Sequence, residues 1–185
     1  MKWNKHFRLE GAHAPFTASS PHWLNYDDDK VIDVYINMQA KALGTKLHKW
    51  AKDTIDLGIR QPKSGKTIYA YVNDAIGFRM DTEVVLFYSE NFFGTADAIS
   101  FRDNMLRIHD LKTGKTPVRK EQLEVYTALF CLEYDIDPGT IDIELRIYQN
   151  SKIECWSPDV QDILAIMDKI VRTDKLIVKF NSEEA

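Results

Sequence analysis

Asp97, Asp110 and Lys112 are the residues of this chain best equipped to do chemistry. They lie on two short segments, 93–101 and 105–112, whose apolar residues alternate. A period of two is the mark of a strand. Phe93, Thr95, Asp97, Ile99 and Phe101 are predicted to share one face of the first segment, and Leu106, Ile108, Asp110 and Lys112 one face of the second. Between them, Arg102-Asp103-Asn104 is rich in turn formers. A two-residue loop at Asp103-Asn104 pairs Arg102 with Met105, and counting back sets Asp97 directly opposite Asp110. Opposed side chains stand about 5 Å apart at Cβ. Two carboxylates at that distance repel, and each is costly on an apolar face. A divalent cation between them removes both costs, and Mg2+, with Mn2+ as a substitute, suits an all-oxygen site. Lys112 points to the same side, placed to orient or activate a water and to offset charge on a phosphate. The chemistry such a set supports is metal-assisted cleavage of a phosphodiester. A three-residue loop would turn the two acids to opposite faces, so the expectation depends on register.

Two helical segments flank these strands. The segment 31–57 lacks proline and carries Leu43, Leu47, Trp50, Ala51 and Ile55 at helical spacing. Gly44, His48, Ala51 and Ile55 fall in one narrow arc, so His48 should project into the interface with the sheet. There it is either a core histidine bonded to backbone or an imidazole completing a metal's coordination. The segment 118–134, entered after Pro117, sets Gln122, Tyr126 and Leu129 on one face at i, i+4, i+7. The Gln122 amide and the Tyr126 phenol are either a surface pair or groups that orient Lys112 or contact a nucleic acid backbone.

The ordered set Gly44-x-x-x-His48, Gly94-x-x-Asp97, Asp110-x-Lys112-Thr113-Gly114 and Gln122-x-x-x-Tyr126 resembles the PD-(D/E)xK nuclease superfamily, in its RecB-like, phage-exonuclease branch. The resemblance spans about residues 40–135. It implies a restriction-endonuclease-like core and a metal-dependent deoxyribonuclease. His48, Asp97 and Asp110 would be metal ligands, with the Leu111 carbonyl as a further one. Lys112 would be the catalytic lysine, and Gln122 and Tyr126 its supporting motif. A glutamate on the preceding strand often joins the metal in that family, and Glu83 and Glu90 compete for the place. By the same resemblance the substrate is linear DNA and the setting is phage DNA recombination or end processing. A ring-shaped homo-oligomer and a recombination or single-strand-binding protein partner are also implied. A nuclease-derived module that grips DNA or protein without cutting, and a structure-specific endonuclease, are the alternatives. Some relatives bind an iron–sulfur cluster through four cysteines. This chain has only Cys131 and Cys155, so no such cluster is expected. Gly65-Lys66-Thr67 is not a phosphate-cradling loop, because the position five before Gly65 is Arg60.

With 185 residues, 44% hydrophobic and 28% charged, the chain is long enough for one domain with a sizeable core. Two cysteines give no disulfide framework and fit a reducing compartment. No apolar run reaches membrane-spanning length and no signal peptide is evident, so a cytoplasmic location is expected, the host cytoplasm if the chain is phage-encoded. The net charge of -4 argues mildly against DNA binding, but distribution matters more than the sum. Lys46 and Lys49, with Lys41 and Lys52, crowd the helix of His48, and Lys115, Arg119 and Lys120 crowd the turn after Lys112. A basic cleft on an acidic body follows, with Lys46, Lys49, Lys115, Arg119 and Lys120 as DNA contacts.

A single domain is expected over 1–185: an irregular 1–30, a core over 31–172 and a tail over 173–185. Helices are predicted at 31–57, 67–80 and 118–134, and strands at 83–88, 93–101, 105–112 and 141–147, with 152–156 as a further partner across an Asn150-Ser151 turn. Ser157-Pro158-Asp159 opens a last amphipathic helix running to about residue 172, with Ser157 as cap and Pro158 in the first turn. The order of elements gives an α/β (α+β) fold, a mixed central sheet flanked by helices.

Overall fold

A computed structural model describes residues 4–9, 11–114 and 119–183. It contains four α-helices, α1 (Asp28–Asp56), α2 (Thr67–Gly77), α3 (Glu121–Glu133) and α4 (Val160–Glu183). Five strands, β1 (Asp81–Ser89), β2 (Phe92–Arg102), β3 (Met105–Leu111), β4 (Asp142–Gln149) and β5 (Lys152–Trp156), form one sheet in sequential order. Neighbours are antiparallel except β3 and β4, which run parallel. A parallel pair needs a crossover, and α3 supplies it. The fold is the expected mixed sheet with flanking helices.

The chain separates into two compact units, 1–45 and 46–185. In the first, short 3-10 turns at Phe7–Leu9 and Pro21–Asn25 precede α1, and Phe16 meets Trp23 edge-on at 6.2 Å. Asp27 caps α1 by accepting from the Lys30 amide at 2.8 Å, which starts the helix three residues earlier than its apolar spacing suggests.

In the second unit the sheet separates two cores. One joins Leu86, Ala96, Ile99, Leu106, Ile108, Leu145 and Ile147 to Leu123, Ala128 and Leu129 of α3 and Ile163 and Ile170 of α4. The other joins Ala98, Leu111 and Tyr148 to Ala51 and Ile55 of α1 and Tyr71, Val72 and Ala75 of α2. A part-buried polar knot ties α2 to the sheet on that side. Asp74 accepts from Tyr148 Oη at 2.7 Å and from Arg146 Nη1 at 3.1 Å. The guanidinium groups of Arg107, at 4.5 Å, and Arg146, at 5.0 Å, both lie over the Phe78 ring. Since the Tyr148 proton goes to Asp74, His109 Nδ1 must donate to Tyr148 Oη, 3.2 Å away.

The predicted hairpin is present. Arg102 pairs with Met105, and Asp103 and Asn104 have φ of 50° and 63°, the left-handed pair of a primed turn. Asn150 and Ser151, at 49° and 61°, make the second such turn.

Two expectations at the C-terminus are corrected. There is no tail from 173, because α4 continues to Glu183. Ile170 is buried in the core, and Asp174 accepts from Ser89 Oγ at 2.6 Å and Asn91 Nδ2 at 2.9 Å, which fixes the helix beyond residue 172. The cap is Asp159 rather than Ser157: its Oδ1 accepts from the Gln161 amide at 2.8 Å, and Pro158 precedes the helix instead of lying in its first turn.

Candidate metal centre

The register that opposes Asp97 to Asp110 is the observed one. The β2–β3 ladder runs from Arg102–Met105 to Ala98–His109, and the next step is Asp97–Asp110. The ladder stops there for a local reason. The Leu111 amide donates to Asp97 Oδ2 at 2.9 Å, so the carboxylate takes a backbone group at the end of the paired stretch.

The face assignment changes at the same point. Ala96 belongs to the α3-side core and Ala98 to the α2-side core, although strict alternation would put both on one face. The slip recurs across the strand pair. Val84 packs on the α3 side, while Thr82 donates from Oγ1 to Asp56 of α1 at 2.6 Å. Between them Glu83 has φ of 52°, the only left-handed non-glycine residue inside a strand among the described residues. That conformation costs on the order of 1–2 kcal/mol. The ladder skips Glu83, which stands opposite Asp97 between the pairs Thr82–Ala98 and Val84–Ala96. The predicted common face of Phe93, Thr95, Asp97, Ile99 and Phe101 is therefore corrected. Ile99 packs with the α3-side core and Phe101 on Phe130 of α3, whereas Phe93 and Thr95 point to the other side.

The slip creates a cluster. Ligand atoms of His48, Glu83 and Asp97 lie within 4.8 Å of one another. His48 Nδ1 is 3.5 Å from Asp97 Oδ2. Its hydrogen bond to Asp97 raises the His48 pKa, aided by the charges of Asp97, Asp110 and Glu83 and opposed by burial. His48 reaches this place as its arc predicts, from a helix whose Gly44, Ala51 and Ile55 are buried. Leu43, read as part of the apolar spacing, is instead 57% exposed.

Asp110 stands outside that cluster and belongs to a chain leading into α3. Lys112 Nζ donates to Asp110 Oδ1 and to Gln122 Oε1, both at 3.0 Å, and Gln122 Nε2 donates to Tyr126 Oη at 3.1 Å. Asp110 is 2% exposed. Burial, then the charge of Asp97, pushes its pKa up to about 6 against the pull of Lys112. Its Oδ2 is buried and accepts no hydrogen bond, though Lys112 Nζ is 3.0 Å away as an ion-pair partner. The imidazole and two carboxylates of His48, Glu83 and Asp97 are a donor set that suits a divalent cation.

Gln122 and Tyr126 are thus brought to Lys112 as the helical spacing suggests. Glu83, left level with Glu90 by the sequence, is the glutamate at the cluster. Tyr71 of α2 also lies near these acids. It is 3% exposed, and burial together with the charges of Asp97, Asp110 and Glu83 raises its pKa, which keeps the phenol neutral. No spacing in the sequence marks it.

Of the expected DNA contacts, Lys49 pairs with Asp53 at 3.1 Å. Lys120 lies 3.6 Å from Glu154 and 5.1 Å above the Trp156 ring. Lys46 and Arg119 are exposed, and Lys115 lies outside the described residues, as do Pro117 and residue 118 at the predicted start of the α3 segment. No helix among the described residues is long and apolar enough to cross a membrane.

The class defined by this architecture is an α+β protein with a polar centre at the point where β2 and β3 stop pairing. The chain belongs to the DUF2800 family, described as proteins of unknown function, whose family model matches residues 75–178. The match takes in Glu83, Asp97, Asp110, Lys112, Gln122 and Tyr126 but not His48. No curated protein and no solved structure matches the chain.

Proposed function

We propose that this protein is a Mg2+-dependent deoxyribonuclease of the RecB-like, phage-exonuclease kind, acting on linear DNA in recombination or end processing. The observation that carries the reading is the Lys112 ammonium, held 3.0 Å from both Asp110 and Gln122, next to the His48–Glu83–Asp97 cluster. His48, Glu83 and Asp97 would hold the ion, with Asp110 and the Leu111 carbonyl contributing from β3. A bound divalent ion supplies positive charge that polarises a phosphate and lowers the pKa of water.

The rest of the work falls to the chain's own groups. Lys112 positions the attacking water and offsets negative charge developing on the phosphate. Gln122 fixes the direction of that ammonium, and Tyr126 fixes Gln122. Asp110 acts as a carboxylate, so it must lose its proton first. Lys46, Lys115 and Arg119 meet the DNA backbone. A homo-oligomer, a recombination or single-strand-binding partner and a cytoplasmic location belong to the same reading.

Incubating the purified protein with linear duplex and covalently closed circular DNA, with Mg2+ or with chelator, tests it. Linear DNA is degraded only with Mg2+, and closed circles survive. Absence of cleavage with either Mg2+ or Mn2+ would make the protein a binding module. Equal attack on circles would make it an endonuclease.

A further inference from the structure

The β1–β2 hairpin carries exposed apolar side chains on one face. Phe87 and Phe93 are direct cross-strand partners, and Val85 and Thr95 form the next pair on that face. Phe87 is 45% exposed, Phe93 62% and Val85 54%. The opposite face already serves the core through Leu86 and Ala96, both buried. An antiparallel sheet with one face packed ordinarily turns polar residues to water on the other. Here that face presents two rings and a valine.

The patch is continuous with the acidic cluster. Beyond Val85 and Thr95 the next opposed residues are Glu83 and Asp97. At about 3.4 Å per residue, the phenylalanine pair lies roughly 13 Å along the strands from those acids, the span of a few nucleotides. Only Val85 and Thr95 intervene, so no charge lies between. A strip of rings without charge favours a flat, uncharged partner, which fits nucleobases and not phosphates.

We propose that Phe87 and Phe93 form a stacking platform for unpaired bases of a single-stranded nucleic acid whose phosphate reaches the Glu83–Asp97 cluster. The proposal rests on the nuclease reading for the place of the reacting phosphate, and it makes the substrate an end with a single-stranded portion. Every base has a π face, so aromatic side chains on an open sheet bind bases with little regard to sequence. Bases inside a duplex are stacked on one another and offer no such face.

The test measures binding of a labelled oligo-dT and of a short blunt duplex by fluorescence anisotropy, with Ca2+ in place of Mg2+. The proteins are the wild type, F87A/F93A and Phe93→Trp. The double variant should lose about tenfold or more in oligo-dT affinity and less than about twofold on the duplex. Phe93→Trp should keep its affinity, with indole fluorescence quenched by the oligonucleotide. Unchanged oligo-dT affinity in the double variant, equal losses on both ligands, or no oligo-dT binding by the wild type would overturn the proposal. So would a halved mass of the double variant by light scattering with oligo-dT binding intact, which would mark the patch as a contact between copies of the chain. Wild type that binds oligo-dT but cuts nothing with Mg2+ would sink the nuclease reading and leave the platform. Wild type that cuts, with F87A/F93A binding normally, would sink only the platform.

Discussion

Gly94 lies against the ring of Tyr126: a Cβ on Gly94 would stand 2.7 Å from Tyr126 Cε1. No ordinary contact is so short, so the glycine is needed for space. Tyr126 in turn accepts from Gln122, and Gln122 accepts from Lys112. Two motifs that are distant in sequence therefore meet in one chain of contacts that ends at the Lys112 ammonium.

Gly94→Ala should push Tyr126 aside and loosen Lys112 through Gln122. The expected loss is about tenfold to a hundredfold in nuclease turnover. Melting temperature should fall only slightly, because the displaced ring is half-buried. Turnover and thermal unfolding measured on the same preparation decide it, and unchanged turnover would detach Gly94 and Tyr126 from the site.

Activity should fall as pH drops through about 6, where Asp110 takes up a proton. Stability moves the other way. An acid whose folded pKa is raised from 3.8 to about 6 destabilises the fold once ionised, so its stabilising contribution is present below 3.8 and lost as pH rises through 6. Asp110→Asn should therefore be more stable than the wild type at pH 8 in chelator, by on the order of 2 kcal/mol, with the gap closing toward pH 4. Urea unfolding across that range measures it.

Metal binding should depend on the residue that the sequence left undecided. Glu83→Gln and Asp97→Asn should each weaken Mn2+ binding by at least about tenfold in calorimetric titration. Glu90→Gln should not. Because His48 must be neutral to coordinate and its pKa is raised, binding should release a proton and tighten with rising pH. Buffers of different ionisation enthalpy reveal that proton.

His109 makes a prediction away from the site. Burial first, then the charges of Arg146 and Arg107, lowers its pKa to about 3 from 6.5. Its neutral form is the folded form, so its contribution is complete above pH 6.5 and declines as pH falls toward 3. His109→Gln should cost about 1–2 kcal/mol at pH 7 through the lost bond to Tyr148. That deficit should shrink as the pH is lowered, in urea unfolding followed by circular dichroism.

Much of this arrangement was legible in local patterns. The turn formers Asp103 and Asn104 fixed the hairpin register, and a helical interval of four placed Gln122 beside Tyr126. What escaped was whatever depends on a break in periodicity. Alternation assigns one face to Asp97, and nothing local announces that β1 and β2 slip together at Glu83 and Asp97. A left-handed glutamate is selected by its surroundings, not by its own preference. The full length of α4 is not legible in its own pattern, because Asp174 is held by Ser89 and Asn91, partners more than 80 residues away. Lys49 meets Asp53 one helical turn on, a pairing its own segment offers, whereas Lys120 faces Glu154 on a distant strand that its segment does not single out.

The most direct measurement compares purified Asp110→Ala and Lys112→Ala with the wild type on linear DNA in Mg2+, with circular dichroism to verify that each variant is folded. The account predicts that both lose at least about a hundredfold in degradation while keeping the native spectrum. Wild-type cleavage by either folded variant would contradict it.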